Sequence, residues 1–330
     1  MGNKRYYLVR IGQIFFLLWF ILTLLFFFFR LLPGDFTSIM TFQGASQETV
    51  QAVREQWGLD DPLHIQYLRY MENFLQGNVG KSVTNNEPVI EYIRMRMFNT
   101  FILVAPAVTI GYILGSLLGT LFGMARGSKF EEYGLIPVIF AGSFPSFFIA
   151  LIMVIVFATI LGWFPTSGIY SYEVLGQYDH WWGVYTSESF LHHYLLPFST
   201  IVLRYLYSPT LIMRTSVVDT MSQDFTFYHR ITGLDRTDRM KHIMRHSILP
   251  VITLYPVSMT RAIGGLVLIE TVFSWPGIGQ ALVQAVLNRD YPVVQFVFFL
   301  VAAFVVIANF AVDILYGIID PRVTVSGDEE

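Results

Sequence analysis

Residues Asp219 to Pro250 read DTMSQDFTFYHRITGLDRTDRMKHIMRHSILP, the largest polar interruption in an otherwise apolar C-terminal half. Arg230, Arg236, Arg239, Lys241 and Arg245 lie in it, Arg214 lies just ahead, and the whole chain has only 21 Lys and Arg. Such a segment cannot rest in lipid, because each charge at bilayer depth costs several kcal/mol. It reads as a cytoplasmic loop between two membrane spans.

Composition places the loop in an integral membrane protein. Of 330 residues 54% are hydrophobic, 14% are charged and the mean hydropathy is +0.53, beyond soluble-domain norms. A net charge of −3 argues against nucleic acid as a partner. Cysteine is absent, which excludes disulfides, thiol catalysis and Cys-based metal sites.

Working outward, Lys4, Arg5 and Arg10 precede an apolar run from Ile11 to Phe29, long enough for a hydrocarbon core that needs about 20 helical residues. The run ends in four Phe and Arg30 rather than in the small residues of a cleavage site, so it reads as an uncleaved helix with its N-terminus in the cytoplasm. Residues 31–98 are too polar to span and read as an external helical subdomain, with helix-like patterning around Gln47–Trp57 and Leu63–Leu75. Five more spans are expected at about 100–124, 135–161, 194–217, 249–272 and 292–317. The expected fold is therefore all-α, with six transmembrane helices, an external subdomain after the first and a cytoplasmic helix between the fourth and fifth. Its parts are 1–30, 31–98, a core at 99–318 that contains the loop 219–248, and a cytoplasmic tail at 319–330. The basic turn at Arg126 and Lys129 and the Asp219–Ser247 loop both fall inside on this count, as positive charge prefers. Pro106, Gly111, Gly115, Gly119, Pro145, Pro209, Pro256, Gly264 and Gly265 interrupt the spans, and ordinary close helix packing accounts for them.

Within the loop, Asp224–Thr232 reads as one short helix, Asp235 as the N-cap of a second, and Gly233 as a left-handed hinge between them. Taken alone it is either a solvated positive-inside loop or a lever that passes motion from a soluble partner to the adjoining spans.

The segment GLDRTDRMKHIMRHSILPVIT from Gly233, preceded by DFTFYHRIT, resembles the cytoplasmic loop of permease subunits of binding-protein-dependent ABC importers, in the oligopeptide, dipeptide and nickel branch. Further stretches resemble that branch along nearly the whole chain: LLPGD at 31–35, GLDDP at 58–62, QYLRY from Gln66, GNVGKS at 77–82, Asn99-Thr100, ETVFSWPGIG at 270–279, NRDYPVVQ at 288–295 and DPRV at 320–323. The resemblance implies half of a transmembrane pore in a bacterial or archaeal inner membrane. It implies four kinds of partner: a second homologous permease, two ATPase subunits, an extracytoplasmic solute-binding protein and the lipid bilayer. It makes the loop around Gly233 a coupling helix seated on an ATPase, with Arg230, Leu234, Arg236 and Arg239 as candidate docking residues. Where the broader family carries Glu-Ala-Ala, this chain has Phe227-Tyr228-His229, which makes Tyr228 and His229 aromatic members of the docking surface.

No phosphate-binding G-x-x-x-x-G-K-[ST] segment is present, and GNVGKS lacks its spacing, so ATP and Mg are expected to be used by partner chains and no cofactor by this one. Ionisable residues within spans are functional candidates by default: Arg261 at mid-span, and Arg204 and Glu270 nearer span ends. His180, His192 and His193, near Asp179, invite a metal reading, but adjacent histidines ligate one ion poorly and Trp163, Trp181, Trp182 and Tyr185 fit an interfacial aromatic belt, so no metal is expected. No catalytic constellation is framed as an enzyme would need. The expectation is a peptide importer's permease. The alternatives are a nickel or other small-solute importer of the same type, an ion-coupled secondary transporter, which needs mid-span carboxylates and inverted repeats, and a receptor scaffold.

Overall fold

A computed structural model describes residues 2–31, 41, 46–58, 60–174, 176–178, 180–224, 233, 235–265 and 267–319. Among them the chain is helical, with one isolated β-bridge between Lys81 and Pro88. In chain order the helices are α1 (Gly2–Leu31), α2 (Gln47–Trp57), α3 (Leu63–Leu75), α4 (Val89–Met124), α5 (Lys129–Ser143), α6 (Ser146–Met153), α7 (Glu188–Met221), α8 (Arg236–Ser247), α9 (Leu249–Gly265), α10 (Val267–Val272), α11 (Ile278–Leu287) and α12 (Tyr291–Ile319).

Four of these are long and apolar enough to cross a membrane, at Val9–Leu31, Val89–Met124, Glu188–Met221 and Tyr291–Ala311. A fifth crossing is made if the bent pair 129–143 and 146–160 counts as one. The span expected at about 135–161, interrupted by Pro145, is not one helix with a packing defect. Instead the two helices meet at 108°, because Phe144 and Pro145 are both extended, with ψ of 149° and 144°, and proline offers no N–H to carry the helix on. Beyond Met153 the helix widens into a π-helical stretch, Val154–Ile160. The expected span at 249–272 falls on α9, of 17 residues, and α10, of six, on either side of residue 266.

The chain divides into two compact units, one of residues 1–98 with 277–311 and one of residues 99–276 with 312–330. In the first, α3 packs on the C-terminal half of α1. Phe26 is 2% exposed and meets Tyr67 edge-on at 5.4 Å, and the Thr23 and Tyr67 hydroxyls share a hydrogen bond of 2.8 Å. A second cluster joins Val89 and Ile93 to Ala281, Val293 and Val297, all at or below 1% exposure. Beside it, buried Asp290 accepts from the Ser82 hydroxyl at 2.5 Å and the Thr84 amide at 3.2 Å. The NRDYP and GNVGKS stretches thus meet in space.

In the second unit α7 is the central helix, with α5, α6, α8 and α9 packed on it. The glycine face of α4 also lies directly against its backbone. A Cβ at Gly111 would stand 3.1 Å from the Val202 carbonyl, one at Gly115 2.6 Å from that of Leu206, and one at Gly123 2.9 Å from that of Arg214, with Gly119 as tightly set against the Thr210 carbonyl. Both partners advance four residues at a time, in the same sense. Helices α4 and α7 therefore run parallel in backbone contact, the close approach that small residues at every fourth position permit.

Candidate functional site

Three sites in the second unit carry the sequence candidates. The first is the basic loop. Gly233 has φ of +71° with open space around it, the left-handed backbone a hinge needs. Asp235 follows as a true N-cap, its carboxylate accepting from the Thr237 amide at 3.2 Å, and α8 begins at Arg236. The far end of α8 is anchored: Ile243 is 1% exposed, and the buried Ser247 hydroxyl donates to Thr220 Oγ1 at 2.8 Å on α7. Arg239 is half-buried on the first turn, and Lys241 pairs with Asp238 at 3.2 Å on the exposed side. Tyr228, His229, Arg230 and Leu234 lie outside the described residues, as does the side chain of Arg236.

The second site is a polar cavity of about 250 Å³ among α6, α7 and α9. Arg204 and Arg261 both line it, together with Tyr205, Ser146, Ser208 and Ser258, over a floor that includes buried Ala262 and Ile269. Two residues 57 positions apart in sequence are thereby brought together. The break at Pro145 makes this arrangement, since it sets Ser146, the first residue of α6, on the cavity wall. Glu270 does not share that cavity. It is fully buried on α10 and accepts from the Thr100 hydroxyl at 2.6 Å.

The third site is a knot that the sequence offered only as motifs. The Asn99 side-chain amide donates to the Pro276 carbonyl at 2.9 Å and accepts from the Tyr185 hydroxyl at 2.6 Å, while the Trp275 indole N–H donates to the Asn99 carbonyl at 3.0 Å. Trp275 is wholly buried and its own amide closes back on the Glu270 carbonyl at 2.8 Å. Burial pushes the Tyr185 phenol up to about 12, so it stays a donor across the physiological range. Asn99-Thr100 and ETVFSWP form one hydrogen-bonded unit.

A fourth arrangement went unread in the sequence. Glu131, 6% exposed, receives Arg214 through Nε at 2.7 Å and Nη2 at 2.5 Å on Oε1, while Oε2 accepts from the Gly127 amide at 2.6 Å. The turn between α4 and α5 is thereby tied to α7.

The histidines are each engaged locally. His192 Nε2 is 2.6 Å from the Trp163 carbonyl, His193 Nδ1 is 2.7 Å from that of Ser189, and His180 stacks on Trp182. Among the described residues no group of three or more metal-ligating side chains is found.

Comparison with known proteins adds the following. Residues 107–325 match the family described as binding-protein-dependent transport system inner membrane component, and residues 4–104 match the N-terminal region of that membrane component. The oligopeptide transport system permease protein AppB of Bacillus subtilis is 32% identical over 295 residues, 88% of this chain and 90% of that protein. The glutathione transport system permease protein GsiC of Salmonella paratyphi A is 32% identical over 301 residues, 91% and 92% of the two chains. GsiC of Escherichia coli K12 is 31% identical over the same length and shares.

Proposed function

Because the chain belongs to the family of binding-protein-dependent transport system inner membrane components, we propose that it forms half of the translocation pathway of an ATP-driven peptide importer. The observation that carries this reading is the match itself, which runs through two consecutive family regions from residue 4 to residue 325. The peptide cargo follows from the names of the relatives, which speak of oligopeptide and glutathione transport.

The complete assembly has a second homologous permease, two ATPases that bind and hydrolyse Mg-ATP, and a binding protein that delivers cargo from outside. This chain crosses the membrane six times with both termini in the cytoplasm: α1, α4, the bent pair α5–α6, α7, the α9–α10 pair and α12. The parallel course of α4 and α7 supports that count, since the chain must return across the bilayer between them, and the bent pair is the segment available for it. Residues 31–98 form the external subdomain, and 219–248 the coupling loop. Tyr228, His229, Arg230, Gly233, Leu234, Arg236 and Arg239 meet the ATPase, and movement there passes through α8 and the Ser247–Thr220 contact into α7. Arg204 and Arg261 stand on the pathway, whereas Glu270 serves to fix α10 against the start of the second span.

The test is uptake into proteoliposomes that hold the full transporter. Uptake that requires ATP on the ATPase side and the binding protein on the opposite side is the expected result. Uptake driven by an ion gradient without ATP overturns the proposal.

A further inference from the structure

We infer that the cavity bounded by Arg204 and Arg261 is an anion subsite for the free carboxylate of a passing peptide. This inference rests on the pathway reading above and adds the cargo group that is recognised.

Three features converge on negative charge. Both guanidiniums line one cavity of about 250 Å³ inside a helical membrane unit, and among the described residues no ion pair to a carboxylate occupies either of them. Arg204 is partly buried and Arg261 is exposed, so two like charges face one water-accessible volume, and an anion between them would be attracted by both. Second, Ser146, Ser208 and Ser258 supply hydroxyls on the same wall, and Ser258 already receives the Tyr112 hydroxyl at 2.5 Å, which leaves its own hydrogen free to turn toward a ligand. Third, Ser146 opens α6, whose N-terminus has no side-chain cap, and uncapped helix amides carry partial positive charge.

A carboxylate satisfies these donors better than other peptide groups. Its two oxygens accept the parallel N–H pair of a guanidinium, and hydroxyls can fill the remaining lone pairs. A neutral amide offers one acceptor and adds donors that face donors. The volume suits a terminal residue rather than a whole oligopeptide, so the subsite recognises an end of the cargo and is indifferent to the rest. Gly265, where an added Cβ meets open space, belongs to the same wall and keeps it clear.

The experiment uses the assembled transporter in detergent, without binding protein, and phenylglyoxal as an arginine reagent read by peptide mass spectrometry. Trialanine and trialanine amide are the probes, and exposed Arg126 is the reference. Trialanine is expected to slow modification of Arg204 and Arg261 at least three-fold relative to its amide, with Arg126 unchanged. Equal slowing by acid and amide overturns the inference, and so does no slowing by either. Arginines that react in the isolated permease but are inert in the assembled transporter also overturn it, because the partner permease then covers the cavity.

A second arm measures uptake at saturating loaded binding protein. The Arg204→Gln, Arg261→Gln double variant is expected to lower the acid-to-amide uptake ratio by about ten-fold, the loss expected for a charge-assisted contact. A fall in uptake with the ratio intact overturns the carboxylate assignment alone. Unchanged uptake of both probes at normal membrane levels removes the two arginines from the pathway altogether.

Discussion

Breaking the Glu131–Arg214 pair tests whether α7 and the turn between α4 and α5 are held as one body. Glu131 is 6% exposed and Arg214 grips one of its oxygens through two nitrogens, at 2.7 and 2.5 Å, while the Gly127 amide holds the other oxygen. Removing one partner of a fully buried pair costs about 3–5 kcal/mol, since the other charge is left without solvent. The Arg214 side chain is 32% exposed, so water screens part of this, and about 1.5–3 kcal/mol is the expected loss for Arg214→Gln. Glu131→Gln should cost less, because the remaining cation can turn toward solvent and the Gly127 amide can still find an oxygen. The assay is a double-mutant cycle on unfolding in mixed micelles, which removes the cost of each side chain by itself. A coupling energy of about 1 kcal/mol or more, weakened only slightly by salt, is expected. Coupling within about 0.3 kcal/mol of zero refutes the view that this pair is shielded and joins the two elements.

Gly115→Leu should separate α4 from α7, because even a Cβ there would stand 2.6 Å from the Leu206 carbonyl, and cysteine cross-linking between the two helices should fall together with assembly. Trp275→Ala empties a wholly buried site and should cost about 3–5 kcal/mol, while Trp275→Phe should cost about 1–2 kcal/mol for the lost indole hydrogen bond to the Asn99 carbonyl and the smaller ring, both measured by the same unfolding assay. Tyr185 has its pKa raised by burial to about 12, so its contribution is fully present below the ordinary value near 10 and is lost as pH rises through 12. The stability difference between the parent and Tyr185→Phe should stay constant up to about pH 10 and shrink above it. Gly233→Leu forces a side chain onto a φ of +71°, and is expected to leave membrane insertion intact while ATPase activity no longer follows peptide.

The helical class and the places of α1, α4, α7 and α12 were legible in the sequence, because lipid demands long apolar runs and Lys and Arg punctuate them. Asp235 as a cap and the left-handed backbone of Gly233 were legible too, since both are local properties of one or two residues, whereas the expected first helix at Asp224–Thr232 lies almost wholly outside the described residues. The 108° bend was not. Pro145 marked an interruption, but a proline within an apolar run is compatible with a gentle kink, and only packing around it decides between a kink and a break. Glu131 with Arg214, and Asn99 with Tyr185 and Trp275, were hidden for another reason. Their partners lie 83, 86 and 176 positions apart, and no periodicity links residues at that distance. Asn99-Thr100 and the SWP stretch stood out as motifs, but what joins them is a hydrogen-bonded knot that only the fold assembles.

Burial then sorts the polar residues of the second unit by what they can do. Glu131, Glu270 and Ser247 are buried and each has a protein partner at hydrogen-bond distance, so their desolvation is offset within the chain and their natural role is to hold helices in place. Arg204 and Arg261 differ in kind. They border open volume, and their charge is not matched by any carboxylate pair among the described residues. A polar network can be completed from inside, as the Asn99 knot is, or it can leave its completion to a ligand. Glu270 also carries a carboxyl in an apolar segment, but it is fully buried away from that cavity, with the Thr100 hydroxyl at 2.6 Å. Under the proposed function, the sign of a transport site in such a helix bundle is an unmet charge beside a cavity rather than charge within a span, a property that Arg204 and Arg261 have and Glu270 lacks.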